Sequence, residues 1–391
     1  MKQTAFTFIA QPMRLAKGGV IDRETPLNFR FDGVPFQGHP GDTLASALLA
    51  NGVKLVGRSF KYHRPRGILS AGAEEPNALV EMRTGARREP NTRATQAELY
   101  EGLEAASQNR WPSLRLDLLA VNGLLAPVLK AGFYYKTFMW PASFWEKVYE
   151  PLIRRAAGLG RASGLPDPDH YEKATVHSDV LVIGSGPAGL MTALTAARAG
   201  ARVVLVEQDF ELGGRLLDER YEIDGAPGRV WLDAIKAELA SFPELRILRR
   251  TTVFGTYDQR EYGAVERVSD HLPAPPPFQP RQRLWRIVAR QTILATGAIE
   301  RPLVFGNNDL PGIMLAGAVR SYLNRFAVMP GRRAAVFATH DDAARTVADL
   351  AAAGVTVAAV IDPRPDSSAA MSAAAKAADA PLLAGSAIAQ A

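Results

Sequence analysis

The chain has 391 residues, 47% of them hydrophobic, enough for two or three cores, since single domains usually run about 100–200 residues. Its 46 Lys and Arg against 40 Asp and Glu leave a net charge of +6, scattered apart from one cluster at Arg58–Arg66, so nucleic acid is not an expected partner. The sequence has no cysteine, which excludes disulfides, thiolate catalysis, Cys-ligated zinc and cysteinyl iron–sulfur clusters within it.

Met1–Ala10 carries one Lys and a short apolar patch but no convincing cleavage site, and a cytoplasmic location is expected. The best membrane candidate, Leu118–Leu129, is too short to cross a bilayer and contains Asn122, Gly123 and Pro127. It reads as a buried or interfacial helix, with no membrane partner. Before it, Leu27–Phe31 and Val34–Phe36 flank Asp32-Gly33, a strong hairpin signal. A helix is predicted at Leu44–Ala50, with Asp42 or Thr43 to cap it and Gly52 to end it. The loop Gly57–Gly67 follows, with Arg58, Lys61, His63, Arg64 and Arg66 around Phe60 and Tyr62. Hairpin, helix and loop in this order are those of a plant-type ferredoxin (β-grasp) fold whose cluster cysteines are missing. The expected domain is residues 1–90. The Arg, Tyr and Phe content of the loop favours an interface or an anion contact over a solvated loop.

Residues 91–170 read as a helical, aromatic connecting region, with Trp111, Trp140, Trp145 and the run Phe133–Trp140, a stripe suited to core or subunit contact. Ala162–Asp169, rich in Gly, Pro and Asp, is the linker into the next domain. Residues 171–330 open with Asp179–Ile183, an apolar β-branched run suited to a parallel strand buried on both faces. Pro187–Ala199 is a helix ended by Gly200, and Arg202–Val206 is the second strand of a βαβ unit. A Pro-rich insertion, Leu272–Arg281, separates candidate strands at Ala264–Val268 and Leu284–Ala289, and the domain resumes at Thr292–Ala298. Residues 331–391 hold a second βαβ at Ala334–Ile361, the start of an inserted domain, followed by an Ala-rich tail at Ser367–Ala391. The fold class is α/β.

Gly184-x-Gly186-x-x-Gly189 stands where its mechanism requires, directly after a strand and opening a helix. The first glycine permits the tight turn, the second lets a pyrophosphate approach the backbone, and the third lets helix and strand pack closely. The helix N-terminus then faces the phosphates. An acid, Glu207, follows about 20 residues on at the tip of the second strand, where a carboxylate accepts ribose hydroxyls and repels a 2′-phosphate. FAD or NAD is therefore favoured over NADP. Gly213-Gly214-Arg215 and Ala295-Thr296-Gly297 match, in order, what two-dinucleotide-binding flavoproteins place beside the cofactor. The second βαβ has no glycine between Gly331 and Gly354, and its turn reads Phe337-Ala-Thr-His-Asp-Asp-Ala343. It is expected to keep its fold and to bind no dinucleotide well. His340 has no metal-spaced partner, and no metal site is expected.

The strings Gly57–Gly67, Gly132–Pro141, Gly184–Gly189 and Glu300–Gly312 together resemble the alpha subunit of heterotetrameric sarcosine oxidase, over essentially the whole chain. The resemblance implies a complex with beta, gamma and delta subunits that demethylates sarcosine oxidatively to glycine. The one-carbon unit passes to tetrahydrofolate or leaves as formaldehyde, and oxygen is reduced to peroxide. It further implies FAD in the beta subunit, FMN between beta and alpha, and NAD in this chain. By position the NAD contacts are Ala188 at the pyrophosphate, Glu207 and Gln208 at the ribose, Arg215 near the phosphates and Val253 against the adenine. No residue here inherits a catalytic role. Full-length members return to the first domain after the inserted βαβ and add a folate-binding half, so a truncated chain or a split gene product is expected. The rivals are another FAD-dependent amine, opine or glycine dehydrogenase complex, whose members usually carry cluster cysteines, and a non-catalytic scaffold fragment.

Overall fold

The computed structural model describes residues 11–127, 132 and 138–391; the expectations for Met1–Ala10 and for most of the run Phe133–Trp140 lie outside the described residues. The chain forms two units, one comprising the residues up to Lys17, Ile21–Asp167 and Arg301–Ala391, the other Gly18–Val20 and Pro168–Glu300.

In the first unit, strands β1 (Leu27–Phe31) and β2 (Val34–Gly38) pair antiparallel with Phe31 opposite Val34. Asp32 and Gly33 both take positive φ, 50° and 77°, as the predicted Asp-Gly turn requires. Helix α1 (Leu44–Ala50) is buried along its whole length and is capped by Thr43, whose Oγ1 accepts the Ser46 N–H at 3.2 Å. Short strands β3 (Gly57–Arg58) and β4 (Pro65–Arg66) clip the basic loop shut. Strands β5 (Leu79–Met82), β6 (Glu89–Arg93) and β7 (Leu103–Ser107) complete a five-stranded sheet of order β2-β1-β7-β5-β6.

This corrects the expected helical onset at residue 91. Strand β7 is the centre of the sheet, parallel to β1 and antiparallel to β5, and its inward Leu103, Ala105 and Ser107 are buried. The ferredoxin-like sheet therefore runs to Ser107. Leu118–Leu125 is a 3₁₀ helix in which no residue is buried, so the buried alternative is overturned for this described part of Leu118–Leu129. Trp111, Leu116, Leu118, Val121, Leu124 and Leu125 are each more than half exposed. Farther on, α2 (Glu150–Ala156) ends the aromatic segment. Among the described residues no helix is long and apolar enough to cross a membrane.

The second unit is built on a six-stranded sheet. Strand β8 (Tyr171–Ile183), helix α3 (Pro187–Arg198) and strand β9 (Val203–Val206) form the predicted βαβ. A small hairpin, β10 (Glu222–Ile223) with β11 (Ala226–Pro227), leads into α4 (Gly228–Leu239). Then come β12 (Leu245–Leu248), β13 (Thr251–Tyr257), β14 (Glu261–Glu266) and β15 (Gln282–Leu294), giving the order β12-β9-β8-β15-β14-β13. The four strands β12, β9, β8 and β15 are parallel, and β14 and β13 add an antiparallel edge. The two apolar runs expected at Leu284–Ala289 and from Thr292 are one strand. Polar Arg290 and Gln291 do not break it, because β15 stays in parallel register with β8 from Gln282–Tyr171 to Leu294–Ile183.

Within the first unit, α5 (Ala316–Asn324) precedes the second βαβ: β16 (Arg333–Phe337), α6 (Ala343–Ala352) and parallel β17 (Thr356–Asp362). The Ala-rich tail continues the pattern with α7 (Ala369–Ala377) and β18 (Leu382–Ala384), which pairs parallel to β17. Helix α5 serves two cores. Tyr322 and Ala318 pack with the ferredoxin-like core, while Leu323 packs with Val336, Val347 and Val360 of the second βαβ.

Candidate functional site

The site lies wholly in the second unit, at the carboxyl ends of its parallel strands, where ligands of open α/β sheets bind. Backbone bonds hold these ends level: Gly184 N–H donates to Val206 O, Glu207 N–H to Leu248 O and Ala295 N–H to Ile183 O, each at 2.8 Å.

The three fingerprint glycines differ in what forbids a side chain. At Gly184 (φ 101°) a Cβ would collide with the Ala295 carbonyl, and at Gly189 with the carbonyl of Gly184. These two glycines fix the turn and the contact of helix on strand. At Gly186 an added Cβ meets no protein atom within 4 Å, so the space beside it is open. A phosphate fits such a place. Gly186 is the N-cap of α3 and has no side chain to cap it, which leaves the first-turn N–H groups and the positive dipole end for an anion. Ala188, one residue inside the helix, is exposed beside this opening.

Glu207, directly after β9, is 8% exposed. Its Oε2 accepts the Ser185 N–H at 2.8 Å and the Ser185 hydroxyl at 2.6 Å, and its Oε1 accepts the Asp209 N–H at 2.9 Å. The Gly213 N–H in turn donates to the Ser185 carbonyl at 3.1 Å and to its Oγ at 3.3 Å. Fingerprint, acid and Gly213-Gly214 loop, distant in sequence, thus meet at Ser185. Gly214 packs on Gly186, where its Cβ would stand 3.0 Å from the Gly186 Cα.

The remaining predicted residues lie around this junction. Gln208 is exposed, and its carbonyl accepts Arg267 Nη2 at 2.8 Å. Arg215 is half exposed and donates to Glu219 Oε1 at 2.9 Å. Burial works against its charge, but the Glu219 carboxylate holds its pKa above the usual guanidinium value. Val253 sits on β13, partly buried against the core cluster that contains Leu181, Val204 and Val206. Its strand is tied to the acid by the Thr251 N–H on the Glu207 carbonyl at 2.8 Å. Gly297 (φ 71°) is exposed in the loop after β15. Sequence reasoning passed over Ser185, because a serine between two glycines looks like filler; its partner 22 residues away is visible only in the fold.

Most cations of the basic loop are held from within the chain. Arg58 donates to the Leu114 carbonyl at 2.7 and 3.0 Å and to His63 O at 3.1 Å, and His63 Nδ1 pairs with buried Asp117 at 2.7 Å. Arg64 pairs with Asp309 at 2.7 Å, and Arg66 bonds the same carboxylate. Internal partners therefore hold Arg58, Arg64 and Arg66, which counts against the anion contact but not against the interface. Phe60 and Lys61 are left at the tip, with Phe60 65% exposed and the Lys61 ammonium 4.9 Å above the Tyr62 ring.

Two family profiles match. One, described as "2Fe-2S iron-sulfur cluster binding domain", covers residues 24–110, and one, described as "FAD dependent oxidoreductase", covers residues 179–222. The first agrees with the sheet that ends at Ser107, but the loop does not fit the cluster: it offers no thiolate, and Arg58, His63, Arg64 and Arg66 staple it to protein carbonyls and carboxylates. The chain is 62% identical over 352 residues to the sarcosine oxidase alpha subunit of Rhizobium meliloti (strain 1021), covering 90% of this chain and 36% of that protein. It is 42% identical to the protein of the same name from Corynebacterium sp. (strain U-96), covering 93% and 33%. One of the opine oxidase subunits of Agrobacterium tumefaciens (strain Ach5) is 30% identical over 39% of the chain, covering 30% of that protein. The fold is similar to that of L-proline dehydrogenase from P. horikoshii, with a TM-score of 0.58 and 20% identity, over 92% of this chain and 57% of that one. The chain spans about a third of the length of the sarcosine oxidase relatives it matches. Over nine-tenths of its own length, this chain is a homologue of the sarcosine oxidase alpha subunits.

Proposed function

We propose that this chain is the NAD-binding part of the alpha subunit of a cytoplasmic sarcosine-oxidising complex. The open space at Gly186, facing the N-terminus of α3 and flanked by a buried acid, is the observation that carries the nucleotide reading. The chain's own residues bind and orient. First-turn N–H groups beside Ala188 hold a pyrophosphate, Glu207 and Gln208 receive the ribose hydroxyls, Arg215 meets the phosphates and Val253 borders the adenine. Glu207 has three of about four acceptor positions engaged, so one remains for a hydroxyl.

Oxidation of a secondary amine needs a two-electron acceptor, and a flavin supplies that when bound. In this reading FAD belongs to the beta subunit, FMN belongs to the boundary between beta and alpha, and the one-carbon unit goes to tetrahydrofolate. The exposed apolar side chains of Trp111, Leu116, Leu118, Val121, Leu124 and Leu125 support assembly with other subunits, because monomers rarely leave such groups uncovered. The opine oxidase likeness covers too little of the chain to favour that substrate class.

Denaturing the purified chain and reading the absorbance of the supernatant tests the nucleotide. An adenine spectrum without the visible band of a flavin supports NAD, a flavin band replaces NAD with FAD, and no nucleotide favours a scaffold. Sarcosine-dependent peroxide formation, with and without added beta subunit, tests the activity. Turnover is expected only with the partner, and turnover by this chain alone contradicts the assignment of catalysis to another subunit.

A further inference from the structure

Ser185 is fully buried and lies between the two glycines that shape the phosphate turn. Both of its donors, the backbone N–H at 2.8 Å and the hydroxyl at 2.6 Å, end on the same oxygen, Glu207 Oε2. The other carboxylate oxygen is held by the Asp209 N–H at 2.9 Å, and the Ser185 hydroxyl is itself fixed by the Gly213 N–H at 3.3 Å. A glutamate has several rotatable bonds and ordinarily swings. Here its rotamer freedom is lost on folding rather than on binding, so the acid is preorganised.

All three donors are neutral, and among the described residues no cation pairs with Glu207. Its negative charge therefore stays available to ribose hydroxyls and is fixed in place against a 2′-phosphate. A loose carboxylate could rotate away and admit that phosphate; a stapled one cannot.

We propose that Ser185 is a positioning residue that sets the nucleotide specificity of the site. It pins the Glu207 carboxylate to the phosphate turn, so that an adenosine ribose with a free 2′-hydroxyl is accepted and a 2′-phosphorylated one is refused. The proposal rests on the reading that this site binds a dinucleotide. It adds a residue to which neither the fingerprint nor the acid rule gives a task.

The test is calorimetric titration of the purified chain, wild type and Ser185→Ala, with NAD and with NADP, alongside thermal unfolding. Wild type is expected to prefer NAD. In Ser185→Ala, NAD affinity falls while NADP is tolerated, so the NAD-to-NADP preference drops about tenfold or more. Ser185→Cys, close in volume but a weak donor, is expected to shift the preference in the same direction. Equal losses for both nucleotides with the preference unchanged, no loss for either, or variants that do not fold would each reduce Ser185 to a structural residue and overturn the proposal. Wild type that binds NADP as tightly as NAD overturns it while leaving the dinucleotide reading intact. Wild type that binds neither nucleotide overturns that reading and this proposal with it.

Discussion

Two βαβ units in this chain place an acid at the tip of the second strand, and they differ in what touches it. In the first, Glu207 is held by the neutral donors of Ser185 and Asp209, next to a turn with open space at Gly186. In the second, Asp362 is fully buried and bound by Arg364, whose Nη2 lies 2.7 Å from it and 2.7 Å from Asp341 in the opposite turn. The Ser367 hydroxyl is a second donor to Asp362, at 3.0 Å. Hydrogen bonds from Arg364 hold the Asp362 carboxyl far below the usual carboxylate range. The same topology thus supports two outcomes. An acid satisfied by neutral donors keeps its charge for a ligand, whereas an acid neutralised by its own arginine has none to offer. The missing glycines and this pairing both fit the expectation that the second βαβ keeps its fold without holding a dinucleotide, and α5 shares its two faces between that βαβ and the ferredoxin-like core.

The largest expected effect is at the first turn. Gly189→Val drives a branched side chain into the Gly184 carbonyl, which cannot yield without moving β8. Nucleotide binding is expected to disappear in titration, and circular dichroism will show whether the unit still folds. Binding that survives within a few-fold would break the claim that the turn is the cradle. A smaller effect is expected from Arg364→Ala, which strands the buried Asp362 carboxylate. The unfolding midpoint should fall while NAD affinity stays the same; a loss of NAD affinity would make the second βαβ part of the nucleotide site.

The smallest effect belongs to Tyr322, which is wholly buried and donates to the Ser70 carbonyl at 2.9 Å. Burial, then the charges of Glu75 and Glu74, push its phenol well above its ordinary value. Its stabilising contribution is therefore complete below about pH 10, the unfolded value, and is lost as the pH rises beyond it. Tyr322→Phe should cost roughly 1–3 kcal/mol at neutral pH and flatten the alkaline loss of stability. An unchanged alkaline profile would show that another group controls it.

Much of this comparison was legible in the residues. Asp179–Ile183 is apolar and β-branched, Gly184–Gly189 follows at once, and Glu207 closes the pattern, so strand, turn and acid declare themselves locally. The missing glycines of the second βαβ were equally plain. Other features depended on distant partners. Glu89–Arg93 has no apolar alternation and becomes a strand only by pairing with β5. Leu103–Ser107 looks helical in isolation and is placed at the centre of a sheet by neighbours on either side. The arginines of the basic loop read as available cations until Asp309, far along the chain, takes two of them. Ser185 carries no signal of its own, and neither does Arg364, since each acts through an atom that only the fold brings near.

The central claim is that the acid of the first βαβ, Glu207, and not that of the second, Asp362, faces a nucleotide. Calorimetric titration of NAD into wild type, Glu207→Ala and Asp362→Ala tests it most directly. Loss of a charge-assisted hydrogen bond of roughly 1.5–3 kcal/mol should weaken NAD by about one to two decades in Glu207→Ala. In Asp362→Ala the affinity should match wild type. Equal affinity in wild type and Glu207→Ala, or a loss confined to Asp362→Ala, would contradict the account.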